Sequence, residues 1–138
     1  MPRASKGGYI FLVTVLIVGV VASAIVASLL YLATSAGRLS LTLEQSSRAV
    51  EYAYACADNA LKSLRATGGY AGGETLTFGS GSCRILTIGG NGYADRTLCV
   101  EGMAGAVTRR MEIVLATLLP SVSVTSWDEV PAFTLCSN

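Results

Sequence analysis

Hydrophobic residues fill the first quarter of the chain without interruption. No charged residue occurs between Gly7 and Gly37, and the apolar block 9–36 contains 28 residues. As a helix, this block would measure roughly 42 Å at about 1.5 Å per residue, whereas a bilayer core needs only about 20 apolar residues. The pattern therefore predicts a membrane-spanning helix that is longer than a plain anchor requires.

The block is too long to be a secretory leader. Secretory leaders have apolar cores of about 7 to 15 residues, and the cleavage-like sequence at 34–36 lies too far downstream.

The flanks of this block predict its orientation. Arg3 and Lys6 precede the block without acidic neighbours. The positive-inside rule then predicts a cytoplasmic N-terminus, with the rest of the chain outside the membrane.

Small residues recur within the block at helical spacing. Gly19, Ser23 and Ala27 are four positions apart, which allows a second helix to approach closely in lipid. These three residues are candidates for helix packing. The alternative is that small residues are simply common in membrane helices, and the sequence favours neither interpretation.

Helical periodicity continues beyond Arg38. Two stripes follow it at intervals of three, four or seven: apolar residues at Leu39, Leu43, Val50, Tyr54, Ala57, Leu61 and Leu64, and small residues at Ala49, Ala53, Cys56 and Ala60. No glycine or proline interrupts 38–67, and a glycine pair then supplies a stop. We expect one helix over 9–66, with the stripe that contains Val50 and Tyr54 covering a sheet.

The second half of the chain has the short alternating runs of β-strands. These runs are 74–79, 83–88, 96–102 and 107–117, with glycine-rich turns between them. Short loops predict an antiparallel meander with one face on the helix. The tail is expected to add an edge strand around 122–125, because Pro131 cannot occupy a central strand. The predicted fold class is α+β, a long N-terminal helix packed on a small antiparallel sheet at about 74–118.

Composition argues against an enzyme. The chain contains no histidine, which removes the commonest general base and metal ligand. The acids of the sheet region, among them Asp95, Glu101, Glu112 and Asp128, show no catalytic spacing and are expected to be solvated charges. A net charge of +1 gives no indication of nucleic-acid contact. We therefore expect neither catalysis nor a cofactor.

The four cysteines all follow the membrane segment, where an oxidising environment favours disulfides. Three pairings are possible. Cys56 lies on the sheet-facing side of the predicted helix and Cys83 begins a strand, which favours a Cys56–Cys83 bond. Cys99 would then pair with Cys136 by remainder, on the sheet face away from the helix. A zinc site is the competing interpretation, but no C-x-x-C spacing supports it.

The order of these features resembles the type IV pilin superfamily, which comprises pilins, minor pilins and type II secretion pseudopilins. A basic leader that ends in glycine, RASKGG, precedes a helix that opens with an aromatic residue, and a small antiparallel sheet follows. The segment SSRAVEYAYACADNALKSLRATGGYAGGETLTFGSGSC is similar to minor pilins of the PilX kind, as are RTLCVEG and VTRRMEIVLA. The architectural resemblance covers nearly the whole chain.

The resemblance implies processing by a prepilin peptidase, which cuts after the leader glycine and methylates the new N-terminus. Here the cut falls between Gly8 and Tyr9. The chain then divides into a leader (1–8), a transmembrane and assembly segment (9–36) and an extracytoplasmic domain (37–138). The implied partners are other pilin subunits through their N-terminal helices, the inner-membrane assembly machinery and membrane lipid.

One position departs from the pattern of the family. Pilins usually carry a glutamate five residues into the mature helix, where this chain has Val13. That glutamate is thought to pair with the N-terminus of a neighbouring subunit, so its absence favours a minor, tip or initiating subunit over a major pilin. The expected function is a structural subunit of a cell-surface type IV pilus or related filament. The alternative is a single-pass anchored binding domain that does not polymerise.

Overall fold

The computed structural model describes residues 6–136, so residues 1–5 of the expected leader, with Arg3, and residues 137–138 lie outside it. One helix and five strands follow in chain order: α1 (Lys6–Ala66), β1 (Gly72–Phe78), β2 (Gly81–Thr87), β3 (Ala94–Ala104), β4 (Val107–Thr117) and β5 (Ser123–Val130). The chain divides into two compact units, Met1–Leu41 and Thr42–Asn138.

The first unit is helical, and its described side chains lie on the surface. Every residue over 8–41 is exposed. The hydroxyls bond back to the helix itself, as Thr14 does to the carbonyl of Ile10 and Ser23 to that of Gly19, both at 2.7 Å. Among the described residues, α1 is the one helix long and apolar enough to cross a membrane. This unit is compatible with a single-pass anchor.

In the second unit, the five strands form one open sheet in the order β1-β2-β3-β4-β5. Every neighbouring pair is antiparallel, which confirms the predicted meander on a long helix. β4 covers the predicted 107–117, while β5 runs well past the predicted 122–125 to Val130. It ends immediately before Pro131, because proline cannot donate a further ladder hydrogen bond.

The core of the second unit lies between this sheet and the part of α1 that belongs to the same unit. The helix contributes six side chains with no exposed area: Ala49, Ala53, Cys56, Ala57, Ala60 and Leu64. The sheet contributes mainly branched side chains from its three central strands: Ile85, Leu98, Val100, Ile113 and Leu115. Burial of this apolar surface is the main favourable term in folding.

The helix face that meets the sheet is centred on the small-residue stripe and includes only part of the apolar stripe expected from the sequence. Ala49 and Ala53 are fully buried, whereas Tyr54 is 50% exposed and Val50 is half-buried. Tyr54 instead stacks on Trp127 of β5 at the margin of the core, with ring centroids 5.6 Å apart. The prediction that the stripe with Val50 and Tyr54 covers the sheet is therefore confirmed in part: Ala57 and Leu64 of that stripe are in the core and Val50 packs against it, but Tyr54 lies at its margin. Small side chains face the sheet because they let the two backbones come close.

Gly102, within β3, marks the closest contact between helix and sheet. A Cβ atom at this position would overlap the carbonyl oxygen of Ala49 and lie 2.6 Å from the backbone nitrogen of Ala53. The strand backbone and the helix backbone are therefore in direct contact. A glycine inside a strand is a known sign of close backbone approach.

We predict that Gly102→Ala destabilises the second unit by about 2 kcal/mol, because the added methyl group must push the helix away from β3 in a closely packed core. Urea unfolding of the full-length chain in detergent, followed by circular dichroism, measures the change. Gly79→Ala is the control, since a Cβ atom there meets nothing within 4 Å. Equal unfolding free energies for the two variants would contradict the direct backbone contact.

Candidate functional site

The residues predicted for processing and helix packing all lie on the exposed surface of the first unit. Gly8 and Tyr9 are exposed, Tyr9 to 74%. Gly19, Ser23 and Ala27 are exposed as well, and a Cβ atom at Gly19 would meet nothing within 4 Å. The structure places these residues on one helix and leaves their surface open to lipid or to another helix.

Two disulfides are present, and they join the pairs favoured from the sequence. Cys56 of α1 is bonded to Cys83 of β2 with their Cα atoms 6.0 Å apart, and both residues are fully buried. Cys99 of β3 is bonded to Cys136 of the tail, with Cα atoms 6.2 Å apart. The first bond ties helix to sheet, and a loop of this size is worth about 3 kcal/mol in the chain-entropy model. The second ties the tail to the sheet.

The sheet face opposite α1 carries a ladder of charges. Strand register places Arg84, Glu101 and Arg110 side by side on β2, β3 and β4. The carboxylate of Glu101 lies 2.7 Å from Nη2 of Arg84 and 3.4 Å from Nε of Arg110. Glu101 is only 7% exposed, so the expectation of a solvated charge is wrong for this residue. Pairing with two guanidinium groups compensates for the burial of its charge.

Glu112 lies on the same face beneath the tail, and at 4% exposure it also departs from the expectation of a solvated charge. Its carboxylate accepts hydrogen bonds from the backbone N–H groups of Thr134 and Leu135 and from the Thr134 hydroxyl. Burial raises the pKa of Glu112, but the hydrogen bonds from Leu135 and Thr134 outweigh it and hold the pKa below its ordinary value. Glu112 is therefore ionised at neutral pH and anchors the tail.

Arg96 is a buried guanidinium that sequence reasoning missed. It is 2% exposed, and its Nη1 donates to the carbonyl oxygens of Gly68 at 2.6 Å and Gly92 at 3.0 Å. Its Nη2 donates to the carbonyl of Tyr70 at 2.8 Å. These bonds tie the segment after α1 to the turn before β3. Nothing in the sequence around Arg96 distinguishes it from a solvated arginine.

Tyr70 acts as a hydrogen-bond donor in the same segment. Its phenol donates to the carboxylate of Glu74. Burial raises the pKa of Tyr70 well above its ordinary value, and the hydrogen bond and negative charge of Glu74 raise it further. The phenol stays protonated at physiological pH, so Tyr70 keeps its proton for the hydrogen bond to Glu74.

One surface pocket of about 360 Å³ lies at the ends of β4 and β5. Six residues line it: Thr108, Arg109, Arg110, Glu129, Val130 and Pro131. Both arginines are already engaged, Arg109 with Glu129 at 2.8 Å and Arg110 with the carbonyl of Pro131 at 3.0 Å. Among the described residues, no group of three His, Cys, Asp or Glu side chains could hold a metal ion. The charged groups that line the pocket are held by contacts within the domain.

Comparison with protein-family models, with curated proteins and with solved structures finds no match to this chain. What the structure establishes is the class, an α+β protein with one long N-terminal helix packed on a five-stranded antiparallel sheet. The similarity to type IV pilins stays a resemblance carried by the order of features in the sequence.

We predict that Arg96→Met destabilises the second unit by about 3 kcal/mol, because three backbone carbonyls lose their donors in a buried setting. Urea unfolding of the full-length chain gives the free energy, and hydrogen exchange shows whether the amides over 67–72 lose protection first. The control is Arg65→Met, at an exposed position of α1, with an expected change within about 0.5 kcal/mol. A loss as small for Arg96→Met as for the control would contradict the anchoring role.

Proposed function

We propose that this chain is a structural subunit of a type IV pilus or related filament, as a minor, tip or initiating subunit, and not an enzyme. The observation that carries the proposal is the exposed apolar surface of residues 8–41. These residues belong to α1, whose later part packs against the sheet. An apolar surface of this size needs a cover, which lipid or the helices of other subunits supply.

The proposal gives each part of the chain a role. Before assembly, the first unit lies in the cytoplasmic membrane with its N-terminus inside, and the sheet domain lies outside, where disulfides persist. Prepilin peptidase then cuts between Gly8 and Tyr9. In the filament, lateral contacts run along Gly19, Ser23 and Ala27, whose small side chains allow close helix packing in an apolar setting.

The minor-subunit role is supported by Val13, which stands where pilins usually have a glutamate. Without that carboxylate, the helix has no charge at this position to pair with the N-terminus of a neighbour. A subunit of this kind is suited to a place at the tip, where fewer such pairs form. The fraction in which the chain is found separates this role from that of a binding domain that does not polymerise. Sheared extracellular fibres should contain the chain only if it assembles, and otherwise it stays in the membrane fraction.

We predict that Gly8→Val blocks maturation, because the side chain occupies the position where the peptidase requires glycine. Intact-mass measurement of the chain from cells that contain a prepilin peptidase should show the wild type without residues 1–8 and with one added methyl group. The variant should retain the leader. Gly7→Val is the matched control and should still be cleaved. Retention of the leader in the wild type would remove the processing step from the proposal.

We predict that Gly19→Leu lowers recovery of the chain in sheared fibres by about tenfold or more, because the side chain separates helices that pack through small residues. The fold of the chain itself should not change, since a Cβ atom at Gly19 meets nothing within 4 Å. Val21→Phe is the control, because Val21 lies about 200° around the helix from Gly19. Equal recovery of both variants in fibres, with equal amounts in the membrane, would contradict packing along Gly19.

A further inference from the structure

The end of the chain forms a strap, residues 131–136, which crosses the sheet face opposite α1. None of its residues belongs to the buried core cluster of the domain. Pro131, Thr134 and Leu135 are exposed, and Phe133 and Cys136 are half-buried. The strap is therefore held by a few specific contacts and not by packing in the core.

Those contacts come from neighbouring positions on two strands. Nη1 of Arg110 donates to the carbonyl of Pro131 at 3.0 Å, and the Glu112 carboxylate accepts from residues 134 and 135. Cys136 is bonded to Cys99, which lies opposite Glu112 in the register of β3 and β4. The covalent hold and the carboxylate hold are therefore adjacent on one face.

We propose that the strap is a redox-controlled clasp: reduction of Cys99–Cys136 allows it to leave the sheet, while Cys56–Cys83 and the helix–sheet core stay intact. Three groups hold it: the disulfide, the Glu112 carboxylate, and Arg110, which bonds the carbonyl of Pro131 and lies over the ring of Phe133. Full release requires the loss of all these contacts.

Selectivity follows from access to the sulfur atoms. Cys56 and Cys83 are both 0% exposed, within the core between α1 and the sheet. Cys136 is half-buried and lies outside the core cluster, so we place the attack of a reductant at this residue, without unfolding of the core. Thiol–disulfide exchange requires such access, because the attacking thiolate must approach a sulfur directly.

The reaction with a dithiol balances. One thiolate of the reductant attacks Sγ of Cys136 and breaks its bond to Cys99, which leaves as a thiolate and takes a proton. The second thiol of the reductant then displaces Cys136 from the mixed disulfide. The two cysteines gain two electrons and two protons, and the dithiol becomes a cyclic disulfide.

After reduction, the strap is held by the contacts of Arg110 with Pro131 and Phe133 and by its hydrogen bonds to Glu112, which require the ionised carboxylate as acceptor. Four other charged groups share this face: Arg84 of β2, Glu101 of β3, Arg110 of β4 and Asp128 of β5. Residues 131–136 carry no charge. The pKa of Glu112 lies below its ordinary 4.5 when the strap is bound. The hydrogen bonds to its carboxylate are therefore fully formed above about pH 4.5 and are lost as the pH falls further.

Release changes the chemistry of the outer face. It exposes Cys99, which is disulfide-bonded and fully buried in the closed state and carries a thiol after reduction, together with the carboxylate of Glu112. Reduction and release thus create a thiol beside an uncovered carboxylate on this face.

The first experiment measures the order of reduction. The full-length chain in detergent micelles is exposed to dithiothreitol at neutral pH, quenched with an alkylating reagent at intervals and mapped by peptide mass spectrometry. We expect Cys99 and Cys136 to be alkylated at least about tenfold faster than Cys56 and Cys83, since opening of the core is much rarer than access at the surface. Simultaneous alkylation of all four cysteines, or faster alkylation of the Cys56–Cys83 pair, would overturn the proposal.

The second experiment isolates the carboxylate hold in Cys99→Ser/Cys136→Ser, which lacks the disulfide. We expect this variant to keep protected amides throughout β3 and β4 and at Leu135 at neutral pH. Adding Glu112→Gln should raise exchange at Leu135 by about tenfold, because a charge-assisted hydrogen bond becomes a neutral one. Adding Asp128→Asn instead is the matched control and should not raise it.

Two results of this second experiment would contradict the clasp. Loss of protection across β3 and β4 in the double serine variant would mean that the strap is part of the fold and not a releasable segment. Unchanged exchange at Leu135 on adding Glu112→Gln would mean that the carboxylate does not hold the strap. The result that supports the clasp is a drop in protection at Leu135 alone when Glu112→Gln is added, with β3 and β4 unchanged.

Discussion

The direct contact between the backbone of α1 and that of β3 at Gly102 is the constraint on which the sheet domain depends. A side chain at position 102 would overlap the carbonyl of Ala49, so only glycine fits there. The facing side of the helix has small residues, Ala49 and Ala53, for the same reason. The same closeness brings Cys56 of the helix within bonding distance of Cys83 on the next strand. Larger residues, including Tyr54, are left to the margin, where they pack on β5.

Because small side chains separate the helix from the sheet, the apolar core between them is small. Specific polar contacts surround this core. Arg96 closes the end of the domain by binding three backbone carbonyls, which needs no partner side chain. On the opposite face, Glu101 is enclosed by two arginines, and Glu112 is enclosed by backbone amides of the returning tail. A buried charge is tolerated in each case because its hydrogen-bonding groups are largely satisfied.

The parts of this structure that follow from local pattern were predictable, and those that depend on distant segments were not. Alternation and glycine turns predict the first four strands of the meander, and the unbroken 38–67 segment predicts the helix. The rotation of that helix was predicted only approximately, because apolar size was weighed above closeness of approach, although a glycine in the middle of β3 was a signal for it. The burial of Glu112 depends on where the tail returns, and that of Arg96 depends on carbonyls of a loop, so neither is visible in the neighbouring sequence.

The hydroxyl groups of the first unit have a further consequence. Because Thr14, Ser23 and Ser28 donate to carbonyls of their own helix, their polar atoms require nothing from the surroundings. If lipid acyl chains around the first unit were replaced by a neighbouring helix, these hydroxyl groups would lose no hydrogen bond and gain none. The preference between the two environments would be set by dispersion and shape alone, which makes such a transfer reversible at small energetic cost.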